Sequence, residues 1–233
     1  MSLEIEVLED PARACAAMLL SGVLHGGDVV LTGGSTPRAA YEELARAIRA
    51  LGRDLSDATL WFSDERSVPP SDERSNYRTV KQALLDPLDD LPAPAVKRMQ
   101  GELGPEKGAA AYERDLRDAG EPDFDLVLLG LGPDGHCASL FPDQAALAER
   151  SRLVVGVGEA GLEPFVPRIT LTLPALASAR QIAFLVTGEP KADAVAAAFG
   201  PNAKPDPHVP ASMLVPLADE LTILLDPAAA ARL

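Results

Sequence analysis

The sequence has little cysteine and little positive charge, and both shortages exclude functions. Its two cysteines, Cys15 and Cys137, are too few for a disulfide framework, and their spacing matches no zinc motif. Lysine and arginine number 21 against 35 acidic residues, so the formal net charge is −14. This balance argues against nucleic acid or an anionic membrane surface as a partner. We therefore expect a cytoplasmic protein that binds neither nucleic acid nor a membrane.

Long apolar runs are also missing. No stretch is long enough to span a bilayer, and residues 1–6 lack the basic region and apolar core of a signal peptide. Hydrophobic residues make up 47% and charged residues 24% of the 233 positions, as in ordinary globular proteins. That length suits one large domain or two small ones. No composition break marks a boundary, so we expect a single domain over residues 1–233.

Strand and helix signals alternate from end to end. Strands are predicted at residues 5–8, 28–31, 59–62, 125–129, 153–157, 169–173, 182–187 and 221–225. Helices are predicted after the Asp10 cap, from a Ser35 or Thr36 cap to Gly52, at 77–85, at 105–119, from Lys191, and after an Asp226 cap. Strands separated by helix-length segments indicate a mostly parallel sheet covered on both faces, in a three-layer α/β/α arrangement.

The first chemical motif is a glycine turn between a strand and a helix, at residues 32–37. Gly33 and Gly34 allow a close backbone approach to an anion, and Ser35 and Thr36 add hydroxyl donors. The helix that starts at Pro37 directs its free N–H groups and positive dipole end to the same point. The motif therefore predicts either a phosphate cradle or a tight turn with a polar cap.

The second motif follows the apolar strand at 125–129 and contains Asp134 and His136. Ligands bind at the carboxyl ends of strands in open α/β sheets, and a carboxylate beside a histidine can fix its tautomer and orientation. A histidine with one structural hydrogen bond is the alternative, and the position favours a general base. Residues 130–135 also match the G-x-G-x-x-G dinucleotide pattern, but weakly, because Pro142 follows before a helix can form.

Charged residues adjoin predicted strands at three further places in the chain. Asp64 to Arg66 form either a solvated loop or the wall of a site, and the run of three charges favours the loop. Arg168 and Lys191 are either surface charges or the cations that a phosphate requires. Cys137 is interpreted as a packing residue, since no second histidine stands near it in sequence.

These motifs resemble those of the 6-phosphogluconolactonases, which act second in the oxidative pentose phosphate pathway. The resemblance covers nearly the whole chain in ordered blocks: residues 32–37, 64–69 with 75–77, 130–142, 168–170, 188–191 and 210–212. It implies the α/β fold that these enzymes share with glucosamine-6-phosphate deaminases. Deaminases typically carry Asp-Glu-Tyr at 64–66 and a Phe-Asn-Glu-Pro stretch after the histidine. Here Phe141 stands near the position of their ring-opening carboxylate, which favours the lactonase.

The resemblance also implies roles in the hydrolysis of 6-phospho-D-glucono-1,5-lactone. His136 is the expected general base, Asp134 orients it, and Arg66 stabilises the oxyanion. The expected substrate-binding residues are Gly33, Gly34, Ser35, Thr36, Asp64, Asn76, Arg168 and Lys191. Asn76 either orders the Arg66 segment or touches the sugar. No metal and no cofactor are expected.

Other classes stay open at this point. A sugar-phosphate isomerase or deaminase would share the fold, a non-catalytic sugar-phosphate sensor would need only the phosphate motif, and a dehydrogenase would rest on the glycine pattern. The oligomeric state is left between a monomer and a weak dimer.

Overall fold

The computed structural model describes residues 2–121 and 123–233. Met1, which belongs to the segment 1–6 considered above, and Pro122 lie outside the described residues. The strands are β1 Ser2–Val7, β2 Asp28–Leu31, β3 Thr59–Phe62, β4 Asp64–Arg66, β5 Ala95–Val96, β6 Leu126–Leu129, β7 Val154–Val157, β8 Arg168–Leu171, β9 Gln181–Val186 and β10 Glu220–Leu225. The α-helices are α1 Pro11–Leu24, α2 Ser35–Leu51, α3 Asn76–Val80, α4 Pro105–Asp118, α5 Leu173–Ala177 and α6 Ala192–Phe199.

Seven strands form one parallel sheet in the order β1-β10-β9-β6-β2-β3-β5. Every residue of the central strand β6 is buried, as are nearly all residues of β2, β9 and β10. A strand with two buried faces needs cover on both sides, which the helices supply. The predicted three-layer α/β/α arrangement is therefore confirmed.

A second, three-stranded sheet has the order β4-β8-β7 and is antiparallel. The strands predicted at 153–157 and 169–173 are found here, and not in the parallel sheet. Strand β8 ends at Leu171 because Thr172 caps α5, accepting a hydrogen bond from the Ala175 N–H at 3.4 Å. The register pairs Arg66 with Arg168, so the small sheet brings two cations side by side.

Residues 64–66 are strand β4, so the solvated loop favoured by their charges is wrong. Asp64 is 4% exposed and Glu65 is 2% exposed. Both carboxylates accept hydrogen bonds from buried neighbours, and this compensates for the loss of water.

Two predicted helix ends differ from the structure. Helix α2 has Gly34 as its cap with no side-chain capping bond, and not Ser35 or Thr36, whereas Gly52 closes it in the left-handed conformation as expected. After Asp226 the chain forms turns only, although the Asp226 carboxylate accepts the Ala229 N–H at 2.7 Å.

The predicted helix at 77–85 consists of α3 followed by a π-helical turn over Lys81–Leu85. Over residues 2–121 and 123–233, no helix is long and apolar enough to cross a membrane.

Candidate active site

A cleft with a volume of about 250 Å³ lies where β2, β6 and β9 end. The segments that follow these three parallel strands form part of its wall, and residues of the small sheet complete it. Of the site residues predicted from the sequence, the structure brings the following to the cleft lining: Gly33, Gly34, Ser35, Thr36, Asp64, Arg66, Asn76, His136, Arg168 and Lys191. Asp134 stands behind the lining and reaches the cleft through His136.

His136 and Asp134 form a close pair at the end of β6. The His136 Nδ1 atom lies 2.5 Å from Asp134 Oδ1, and the two side chains are 17% and 29% exposed. The imidazole packs against the Phe141 ring, with 4.6 Å between ring centroids. Gly132 allows this arrangement, since a Cβ on Gly132 would lie 1.9 Å from His136 Nδ1. The imidazole is therefore held on three sides.

The charge of Asp134 determines which imidazole nitrogen of His136 carries the hydrogen. Partial burial raises the pKa of Asp134, but the hydrogen bond and the charge interaction with His136 outweigh burial, so the pKa lies below its ordinary value. An ionised Asp134 accepts a hydrogen bond from the Nδ1–H of His136, which favours the tautomer with its lone pair on Nε2. Nε2 has no hydrogen-bond partner among the described residues.

Helix α2 points its N-terminus at the cleft. Gly34 precedes it with φ of 111°, a conformation that favours glycine, and no side chain in the described part of the chain caps the first turn. The Tyr41 hydroxyl braces the turn from below, accepting the Thr32 N–H at 3.0 Å and donating to the Thr32 carbonyl at 2.7 Å. The first turn of α2 thus lines the cleft without a side-chain cap among the described residues, which is the arrangement found where helix N-termini bind anions.

Asn76 lies directly under this turn. Its Nδ2 donates to the Asp64 carbonyl at 2.9 Å and to Asp64 Oδ1 at 3.1 Å. Its Oδ1 faces Gly33 so closely that a Cβ on Gly33 would lie 1.8 Å away. Asn76 therefore connects β4 to the glycine turn, in addition to lining the cleft.

The cleft is locally cationic in a strongly acidic protein. Three cations line it, Arg66, Arg168 and Lys191, against the carboxylates of Asp64 and Glu163. Each cation also donates to a backbone carbonyl, which fixes its position. Burial lowers the pKa of Arg168 to about 10 and lowers that of Lys191 below its ordinary value.

Several contacts at the site were not predicted. Asp64 Oδ2 accepts a hydrogen bond from Ser139 Oγ at 2.6 Å, which ties β4 to the segment after His136. The sequence also does not predict the hydrogen bonds of Tyr41 to Thr32 or the contact of Phe141 with His136. The segment at 162–163 lines the cleft as well, held by hydrogen bonds from Arg168 to nearby carbonyls.

Two interpretations of the sequence are settled by local structure. The segment after β6 continues as turns, with the Gly132 N–H bonded to the His136 carbonyl at 2.8 Å. No helix begins at Gly135 in the described part of the chain, so the dinucleotide pattern lacks the helix that it requires there. Cys137 is fully buried, and burial together with the Asp64 charge raises the pKa of its thiol to about 12, as suits a packing residue.

Comparison with known proteins agrees with this geometry. Residues 9–223 match the family model described as Glucosamine-6-phosphate isomerases/6-phosphogluconolactonase. A 6-phosphogluconolactonase of Mycobacterium leprae is 41% identical over 212 residues, which cover 87% of this chain and 83% of the relative.

Solved structures show the same fold. The 6-phosphogluconolactonase from Trypanosoma cruzi superposes with a TM-score of 0.84 at 28% identity, covering 100% of this chain and 97% of that one. A monomeric glucosamine-6-phosphate deaminase also reaches a TM-score of 0.84 over the full length of both chains, at 19% identity, and so shows the fold alone. The chain belongs to the family of glucosamine-6-phosphate isomerases and 6-phosphogluconolactonases, and it is an enzyme of the 6-phosphogluconolactonase group.

Proposed function

We propose that this protein hydrolyses 6-phospho-D-glucono-1,5-lactone to 6-phospho-D-gluconate, the second step of the oxidative pentose phosphate pathway. The observation that carries the proposal is the pairing of His136 with Asp134 in a cleft that also contains the N-terminus of α2. A base and an anion site in one cleft suit a substrate with a reactive carbonyl and a phosphate.

His136 activates the attacking water. Its Nε2 takes a proton from water as the oxygen attacks the lactone carbonyl, and the imidazolium then gives that proton to the ring oxygen that leaves. Asp134 holds the tautomer and stabilises the imidazolium. A general base of this kind contributes about 10²–10⁴-fold in rate.

Arg66 stabilises the negative charge that develops on the carbonyl oxygen. It lines the same cleft as His136, and one of its guanidinium nitrogens, Nη1, is held by the Arg74 carbonyl at 2.5 Å. A single well-placed donor to an oxyanion is worth about 2.7–4 kcal/mol.

The phosphate binds to the N-terminus of α2. Its donors are the backbone of Gly33 and Gly34, the hydroxyls of Ser35 and Thr36, and the cations of Arg168 and Lys191. Asp64 and Asn76 bind the sugar side of the substrate. Anchoring the phosphate fixes the lactone carbon relative to the water on His136.

The remaining expectations become proposals here. The chain acts as a single domain over residues 1–233, because the cleft takes its wall from both sheets. It works in the cytoplasm, as a monomer or weak dimer, on a small sugar-phosphate lactone and without a nucleic-acid partner.

The test follows hydrolysis of freshly generated 6-phosphogluconolactone above its spontaneous rate. We compare wild type, His136→Ala and His208→Ala. His208 also pairs with an aspartate, since its Nδ1 lies 2.9 Å from Asp143 Oδ1, but this pair is 69% and 65% exposed and lies outside the cleft lining. The expected result is a fall in kcat of about 10²–10⁴-fold for His136→Ala and wild-type kcat for His208→Ala.

A wild-type enzyme that does not accelerate lactone hydrolysis would overturn the function. Ammonia release from glucosamine 6-phosphate would then identify a deaminase. If the His136→Ala enzyme turned over the lactone at the wild-type rate, the proposed activity would stand, and the proposed role of His136 as general base would be contradicted.

A further inference from the structure

Glu65 is a buried carboxylate that the proposed mechanism does not use. It is 2% exposed and lies outside the residues that line the cleft. Its two oxygens accept four hydrogen bonds: Oε1 from the N–H groups of Arg66 and Asn76, both at 2.7 Å, and Oε2 from Ser75 Oγ at 2.9 Å and the Tyr77 N–H at 2.8 Å.

These bonds connect two separate segments of chain. Glu65 and Arg66 belong to β4, whereas the other three donors form the start of α3. The Ser75 Oγ atom also accepts the Arg78 N–H at 3.2 Å, so its own proton is directed to Glu65. Burial raises the pKa of Glu65, and the four donors counter part of that rise. In Glu65→Gln the side-chain NH₂ group would face at least one of these four donors. Two donors cannot form a hydrogen bond with each other, so at least one of the four bonds would be lost.

The segment that Glu65 holds also holds the Arg66 guanidinium. Arg66 Nη1 donates to the carbonyl of Arg74 at 2.5 Å, and Arg74 directly precedes Ser75. Arg66 Nε is buried without a hydrogen-bond partner among the described residues. The guanidinium therefore depends on the Arg74 carbonyl. Asp72 holds Arg74 from one side, its Oδ1 accepting the Arg74 N–H at 2.9 Å, and Glu65 holds the segment that follows Arg74.

The geometry points to Glu65 as the positioning residue for Arg66 in lactone hydrolysis. The carboxylate fixes the start of α3 against β4, and this segment in turn aims the guanidinium into the cleft. The inference rests on the proposed function, because the role of Arg66 in the reaction comes from it.

The test is a double-mutant cycle between Glu65→Gln and Arg66→Ala, with kcat and KM measured for the lactone. In the wild-type background Glu65→Gln lowers kcat about 10- to 100-fold, since a displacement near 1 Å at a catalytic group costs up to about 10²-fold. In the Arg66→Ala background the same substitution changes kcat less than about threefold, because the group it positions is gone. Equal factors in both backgrounds would overturn the inference.

Glu113→Gln is the matched control. Glu113 also fastens a helix to a strand, accepting the N–H groups of Leu153 and Val154 at 2.9 and 2.8 Å, but it lies outside the cleft. We expect it to lower the unfolding temperature without changing kcat. Should Glu65→Gln fail to fold, Ser75→Ala removes one donor and gives a smaller loss of kcat that also disappears in the Arg66→Ala background.

Amide hydrogen exchange gives a readout that does not need activity. Loss of the carboxylate should speed exchange at the N–H groups of Arg66, Asn76 and Tyr77, and leave α4 unchanged. Unaltered exchange at these three amides would overturn the inference. If the wild type hydrolyses no lactone, the proposed function fails, and the exchange result still decides whether Glu65 holds the two segments together.

Discussion

Two His–Asp pairs occur among the described residues, and their surroundings differ. In the cleft, His136 lies 2.5 Å from Asp134, packs on Phe141 and is 17% exposed. On the surface, His208 lies 2.9 Å from Asp143 and is 69% exposed. The residue types are the same, so the proposed base differs from the surface pair in its surroundings and not in its pairing. Two neighbours distinguish the cleft pair. The Phe141 ring packs against the imidazole and restricts it, and Gly132 has no side chain that would displace it.

The largest expected effect on kcat comes from filling the space beside Gly132 that the imidazole of His136 occupies. Gly132→Ala places a Cβ 1.9 Å from His136 Nδ1 and 2.4 Å from Asp134 Oδ1, so both side chains must move. We expect kcat to fall about 10²–10⁴-fold, as for loss of the base itself. Gly158→Ala is the control, because nothing lies within 4 Å of its added Cβ. Wild-type kcat in Gly132→Ala would show that the ring position does not matter.

The next effect concerns the partner carboxylate. Asp134→Asn keeps the shape of the side chain but removes the charge that fixes the Nδ1–H tautomer, so kcat should fall about 10²-fold with little change in KM. Asp143→Asn in the surface pair should leave both constants unchanged. The measurement is kcat for lactone hydrolysis by Asp134→Asn and by Asp143→Asn. Similar kcat values for the two variants would contradict a special role of the cleft pair.

The smallest effect is on phosphate binding. Burial lowers the pKa of Lys191, so its cation is present below that pKa and is lost as the pH rises through it. We expect binding of 6-phosphogluconate, followed by calorimetry, to weaken about tenfold at alkaline pH. Lys191→Arg should move this loss to higher pH. An affinity with the same pH dependence in the wild type and in Lys191→Arg would exclude Lys191 from the phosphate site.

Much of the fold and of the cleft could be predicted from the sequence, because the sequence patterns that indicate them are local. The glycine turn before α2, the buried run of β6 and the neighbouring Asp134 and His136 each lie within a few residues. Parallel strands then bring their carboxyl ends together. The order of the strand and helix signals was sufficient for the fold class.

Other features depend on partners distant in sequence. For β4 the sequence predicts a solvated loop, because three consecutive charged residues are typical of segments exposed to water. The residues that satisfy them lie elsewhere, with Ser139 75 positions from Asp64 and Ser75 ten positions from Glu65. The antiparallel sheet was missed for the same reason, since strand direction is set by pairing between segments and not by composition.

The strand order has a consequence for how the molecule assembles. The first strand along the chain, β1, pairs with β10 alone among the described strands, and β10 lies between β1 and β9. During synthesis β1 therefore precedes β10 by more than 200 residues, and it has no neighbour among the described strands until residues 220–225 have been made. The parallel sheet closes last at this edge, so folding of the complete sheet is expected after synthesis of β10.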